Sequence, residues 1–153
     1  MKKILLLSLF LVQLVNLYAQ QLPLYFEPEQ DCISATPICG NSYYQDDYYL
    51  GFGENFEALP LQNCIEPGEI NSVWYVFSVA TSGTLGFTIN SSVDFDFALW
   101  DISVGGCQEI GQAAPIRCNY SGSNSPTGMT ASTVAAGNLN YGDSQPPIMP
   151  GIN

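Results

Sequence analysis

The sequence predicts an all-β fold, an antiparallel β-sandwich or barrel, on three observations. Apolar and polar residues alternate over three stretches, 72–79, 84–89 and 94–101. Gly, Ser and Pro punctuate the chain between them. No stretch past the first 19 residues sustains the apolar period of a helix.

The elements follow in chain order. Lys2 and Lys3 precede an apolar run, Ile4 to Val15, broken only by Ser8 and Gln13, and Ala19 offers a small residue for cleavage. That layout is a Sec-type signal peptide over 1–19, and the run is too short to span a membrane. No Cys follows it at once, which argues against a lipid anchor. Residues 20–30 read as a linker. Residues 31–128 read as the domain. Its first strand, Ser72 to Val79, sets Val73, Tyr75, Phe77 and Val79 on one face. Thr81-Ser82-Gly83 then reads as the turn of a hairpin into a second strand, Thr84 to Ile89. There Leu85, Phe87 and Ile89 share the apolar face. The third strand, Asp94 to Asp101, points Phe95, Phe97 and Leu99 one way and Asp94, Asp96, Ala98 and Trp100 the other. Ile116 to Tyr120 reads as a fourth. From Ser121 the pattern fades into Gly, Ser, Asn, Thr and Pro. Residues 129–153 read as an insertion, or as the start of closing strands that are missing from the chain.

With its leader removed, the chain keeps one base, Arg117, against 14 acids, a net charge of −13. It offers no electrostatic footprint for a nucleic-acid backbone. Anionic membranes are equally poor partners, and no membrane insertion is expected after cleavage. There is no His, so Ser-His-Asp and Cys-His catalysis are excluded, as is Lys chemistry in the mature part. The chain reads as a non-enzyme.

The five cysteines, Cys32, Cys39, Cys64, Cys107 and Cys118, lack the close pairs or His partners of a zinc site. In an exported chain they read as bridges. Cys107 and Cys118 bracket a short Gly- and Pro-containing segment and form the preferred pair. Cys64 would join Cys32 or Cys39 and leave one thiol over.

Several pieces in one order carry a resemblance. They are Asp31-Cys32-x-x-Ala35-x-Pro37-Ile38-Cys39, Asn63-Cys64, Glu69-x-Asn71-Ser72-Val73-Trp74-Tyr75, Ser82-Gly83-Thr84-Leu85-x-Phe87-Thr88-Ile89, Asp94-x-Asp96-Phe97-Ala98-Leu99, and Ile116-Arg117-Cys118-Asn119-Tyr120 with Thr127-Gly128. Together the chain resembles the N-terminal β-sandwich module of large, gliding-motility-associated surface proteins exported by the type IX secretion system. It also looks like the pre-peptidase C-terminal type of jelly roll. The resemblance implies a jelly-roll-like sandwich in a secreted or cell-surface protein. The family's closing strands and sorting domain have no counterpart in the sequence.

Candidate chemistry rests on acids and aromatics. Asp94 and Asp96 lie about 7 Å apart by strand rise. Glycosidase carboxylates come from different strands flanking a cleft, so this pair is a poor catalytic couple. Asp94, Asp96 and Asp101 are candidate calcium ligands, since hard cations take oxygen shells. The plainer reading is the solvated face of an edge strand. Trp100, Tyr48 and Tyr49 are candidate ligand-binding residues, because exposed rings stack on sugars and anchor interfaces. Trp74 and Trp100 read equally as core. Arg117 is expected to tie down a carboxylate, with Asp96 or Glu69 as partners, or loop carbonyls.

The expected core is Val73 or Trp74, Tyr75, Phe77, Leu85, Phe87, Ile89, Phe95, Phe97 and Leu99. The functional expectation is a non-catalytic extracellular module for adhesion or for binding a glycan or protein. The alternative is a carbohydrate-binding or substrate-targeting domain of a secreted hydrolase.

Overall fold

The structure, a computed structural model, describes residues 27–58, 65, 69–123, 126–133, 140–141 and 146–152. The leader expected over 1–19 and most of the expected linker lie outside the described residues. Among those described there is no α-helix, only short 3-10 turns at Pro28–Gln30, Cys32–Ser34 and Gly106–Glu109. The described residues include eight strands: β1 Thr36–Pro37, β2 Tyr75–Val76, β3 Phe87–Ile89, β4 Phe97–Leu99, β5 Arg117–Asn119, β6 Thr127–Thr133, β7 Asn140–Tyr141 and β8 Ile148–Gly151. The described residues are all-β, as the alternating stretches predict, but the expected antiparallel pairing holds only for β3–β6 and β4–β5, while β1–β2, β5–β7 and β6–β8 pair in parallel.

The strands form three small sheets. β1 pairs with β2 in parallel, Thr36 against Tyr75. Pro37 cannot donate to a ladder, which suits a strand paired on one side. The second sheet runs β3-β6-β8, with β3 antiparallel to β6 and β6 parallel to β8. The third runs β4-β5-β7, with Ala98 opposite Cys118 and Cys118 opposite Asn140. β4 stops early for a local reason. The Asp101 carboxylate accepts the Ser103 N–H at 3.0 Å, and this Asx turn diverts the backbone.

The second and third sheets contribute to one apolar cluster. Phe97 of β4, Met129 of β6 and Met149 of β8 are buried, with Leu85, Phe87, Ile89 and Leu99 packed against them. The Phe87 and Phe97 rings meet edge to face at 4.9 Å, a favoured aromatic geometry. The Pro146-Pro147 approach to β8 has no N–H to offer. Its carbonyls instead receive donors from the other strands. Pro147 O accepts from Thr127 Oγ1 at 2.9 Å, from Asn119 Nδ2 at 2.9 Å and from Gly128 N at 3.1 Å. Asn119 is fully buried.

Gly128 sits at φ 145°, and a Cβ there would fall on the Phe87 carbonyl oxygen. Gly128→Ala is therefore expected to break the β3–β6 pairing. A loss of about 2 kcal/mol or more in urea unfolding is the predicted result. A variant as stable as the parent would show that β3 does not pair there.

The structure departs from the sequence reading at several points. The 72–79 and 84–89 stretches do not form a hairpin: β2 pairs with β1, and β3 pairs with β6. The backbone of Trp74 is held at both ends of its peptide, by Glu29 O and by Thr36 N, so this stretch joins an N-terminal partner. Tyr75, Phe77 and Phe95 are exposed rather than core, and Val79 is 70 % exposed. Val73 and Trp74 are half-buried. Residues past Ser121 supply β6, β7 and β8, and two of the three central core side chains. Glu27–Gln30, read as the end of a linker, pack into the domain: Gln30 is buried and its amide donates to Leu50 O and Gly51 O.

The bridge differs as well. Cys107 bonds Cys32, not Cys118, across 75 residues of sequence. Cys118 is itself disulfide-bonded, and Cys39 is a free, exposed thiol. Cys32, one of the two partners expected for Cys64, is thus taken by Cys107, and Cys64 itself lies outside the described residues.

Candidate functional site

The residues from Tyr43 to Phe56 gather six of the fourteen exposed large apolar side chains among the described residues. Tyr43, Tyr44, Tyr48, Leu50, Phe52 and Phe56 all face solvent, Tyr44 and Tyr48 by 83 % and 80 %. Single exposed apolar residues are ordinary, but a run of rings in one segment marks a contact surface.

This segment has no strand of its own, and side chains hold it. The Tyr43 ring packs edge-on against Tyr75 at 5.5 Å. The Tyr75 hydroxyl donates to Gln45 Oε1, and Gln45 Nε2 donates to Asp47 O at 3.0 Å. Burial, with lesser repulsion from Tyr43 and Tyr49, pushes the Tyr75 hydroxyl up to about 12, so it stays a donor at neutral pH. At the far end Asn71 exchanges two hydrogen bonds with Gly51, giving its amide to Gly51 O and taking Gly51 N on Oδ1. Its φ of 53° is a conformation that Asn tolerates. Gln30 closes the same end.

Below the segment lies a network that the sequence reading missed. Asp31 and Glu69 are buried carboxylates. Asp31 accepts Glu54 N at 3.1 Å and Asn55 N at 2.8 Å. Gly53 stands against it, where a Cβ would strike the carboxylate. Glu69 accepts Glu57 N at 3.0 Å, Ala58 N at 3.3 Å and Trp74 Nε1 at 2.8 Å. Glu57 accepts Cys32 N on both oxygens, at 3.1 and 2.9 Å. The partners are backbone amides, the Asn55 side-chain amide and an indole, so the network is a scaffold for the loop at 53–58.

Glu57 is the group with pH consequences. Burial raises its pKa from 4.5 to about 7, and repulsion from Glu69 and Asp31 adds to this, against the Cys32 N–H that favours the anion. The folded state thus holds a proton that the unfolded chain has lost. Stability from this group is full below about pH 4.5 and disappears as pH rises through 7. Glu57 is partly exposed, so after solvent screening the effect is about 1 kcal/mol. Glu57→Gln keeps an acceptor for Cys32 N. It is expected to flatten the melting temperature between pH 5 and pH 8 and to raise it at pH 8. Parallel pH profiles for the two proteins would contradict this.

The other expected site residues are placed as follows. Asp94 is exposed and Asp96 half-buried. Asp101 is exposed, and its bonds to Ser103 hold its carboxyl below the usual range. Among the described residues no three His, Cys, Asp or Glu side chains group to hold a metal ion. The calcium shell of Asp94, Asp96 and Asp101 is therefore not assembled, because β4 spans only Phe97–Leu99 and alternation does not extend to the flanking acids. Trp100 is half-buried, packed at a tilt against Trp74 with ring centroids 5.5 Å apart, and its indole donates to Ala113 O at 3.1 Å. Both contacts are those of a packing residue. Tyr49 is half-buried and Tyr48 exposed, both within the tyrosine segment. Arg117 donates to Ile116 O at 2.8 Å and Gly151 O at 3.3 Å, the carbonyl role expected of it. Glu69 serves the scaffold described above.

No helix among the described residues is long and apolar enough to cross a membrane. Comparisons with family models, curated proteins and solved structures give no match.

Proposed function

We propose that this chain is a non-catalytic extracellular binding or adhesive module. It reaches the cell surface or medium through its Sec-type leader and belongs to a larger surface protein of the type IX, gliding-associated kind. Its two three-stranded sheets then form part of a jelly-roll-like sandwich. The observation that carries the reading is the fixed, solvent-facing tyrosine segment, braced by Tyr75, Asn71 and Gln30. A chain without His supports a binding role over acid–base chemistry. The Cys32–Cys107 disulfide is compatible with an oxidising, extracellular setting.

The test is a binding panel. The secreted chain is applied to immobilised glycans and to immobilised peptides of acidic, basic and neutral composition. Wild type is compared with a Tyr44→Ser/Tyr48→Ser variant of equal melting temperature. The reading predicts retention on at least one surface class, with a loss of about fivefold or more in the variant. No retention anywhere, or equal retention of both proteins, would overturn it.

A further inference from the structure

The tyrosine segment carries charge of one sign. Asp46 and Asp47 are exposed between its two pairs of tyrosines. The Glu27–Gln30 turn is fastened beside the end of the segment through Gln30 to Leu50 and Gly51. Glu29, Glu27 and Asp47 all act on the Tyr49 hydroxyl, adding to the effect of burial in raising its pKa. Three carboxylates, Glu27, Glu29 and Asp47, therefore lie near the Tyr49 ring, and Asp46 is exposed next to Asp47 between the two tyrosine pairs. The one base past the leader, Arg117, is committed to the carbonyls of Ile116 and Gly151.

We propose that this face binds an arginine-bearing polypeptide segment, its guanidinium groups laid on the exposed tyrosine rings and paired with the flanking carboxylates. This rests on the binding role proposed above and names the partner of that same surface. Charge complementarity selects the occupant. A second copy of this chain, with its large net negative charge, is repelled, and so is an anionic lipid surface. A neutral glycan uses the rings but leaves the carboxylates without partners. A guanidinium uses both: it is planar, weakly hydrated and stacks on aromatic faces while its fork of donors meets carboxylates. Arginine should therefore outbind lysine on this face.

The experiment is a titration of the folded, disulfide-bonded chain with a fluorescent Gly-Arg-Gly-Arg-Gly-Arg-Gly peptide, followed by anisotropy. Its lysine counterpart and a Gly-Ser peptide serve as comparisons. Two variants test the face, Asp46→Asn/Asp47→Asn and Tyr44→Ser/Tyr48→Ser, the second at unchanged charge. A third, Asp94→Asn/Asp101→Asn, removes the same charge elsewhere. The expected result is tighter binding of arginine than of lysine, weakened about three- to tenfold by either face variant. Binding should fall with added salt and stay unchanged in the third variant. Equal weakening by all acid variants, no effect of the tyrosine variant, or no arginine preference would overturn the proposal as mere polyanion behaviour. Tyrosine-dependent binding of glycans without any peptide binding would overturn it too, and would leave the broader binding role standing.

Discussion

Glu69→Ala is expected to cost the domain about 4 kcal/mol of unfolding free energy, enough to unfold much of it at 37 °C. The side chain is buried and receives three donors: Glu57 N and Ala58 N on one oxygen, and Trp74 Nε1 on the other. Hydrogen bonds to a charged group are each worth about 1.5–3 kcal/mol, and a donor left buried without a partner costs a similar amount. Against this stands the relief of burying one carboxylate fewer. Glu69→Gln should fall between, since an amide offers one oxygen where the carboxylate offers two. Urea unfolding followed by tryptophan fluorescence checks both, because Trp74 is itself a partner. A change below about 1 kcal/mol in Glu69→Ala would mean that the loop at 53–58 is held by something else.

The second large effect belongs to the Cys32–Cys107 bridge. It closes a loop of 75 residues, and a cross-link of that span removes about 4 kcal/mol of chain entropy from the unfolded state. It also joins the Cys32–Ser34 turn beside β1 to the Gly106–Glu109 turn that follows β4. Cys32→Ala/Cys107→Ala is expected to lower the urea midpoint and to steepen its slope, because the unfolded chain is no longer cross-linked and exposes more surface. Alanine is the proper replacement, since Cys32 is buried and serine would carry a hydroxyl into its place. Peptide mapping under non-reducing conditions gives the sharper check. A peptide joining Cys32 to Cys107 is expected, and one joining Cys107 to Cys118 would remove the basis of the prediction.

Much of the apolar architecture was legible because it repeats every second residue. Leu85, Phe87 and Ile89, and Phe97 and Leu99, stand on the faces that alternation gave them and meet in one cluster. The remainder of the core was hidden. Met129 follows Gly128, and Met149 lies between Ile148 and Pro150, so neither strand offers a run of β-branched or aromatic residues. These strands owe their place to β3 and to the donors that reach the Pro147 carbonyl. Their pairing is long-range, and a local turn signal at Thr81-Ser82-Gly83 gives no hint of it. The same limit governed the disulfide, where short spacing favoured Cys118 and the fold chose Cys32.

The site divides in a similar way. Tyrosines crowded around Asp46-Asp47 were visible as a cluster from their order alone. Their bracing by Tyr75, Asn71 and Gln30 was not, since those contacts span some 20 to 30 residues. The bonding of the Asp31, Glu57 and Glu69 carboxylates gave no signal, because their partners are mostly backbone amides, which every residue type but proline provides. Trp100 looked like a ligand ring by alternation, but its contact with the Trp74 ring draws it into packing.

Hydrogen exchange of the disulfide-bonded chain, with and without the panel probe it binds best, tests the role of the tyrosine face most directly. Added protection in the bound state is predicted over Glu27–Gln30 and Tyr43–Phe52, with none over Asp94–Asp101. Protection confined to the Asp94–Asp101 stretch, or no protection from any probe that the panel offers, would contradict it.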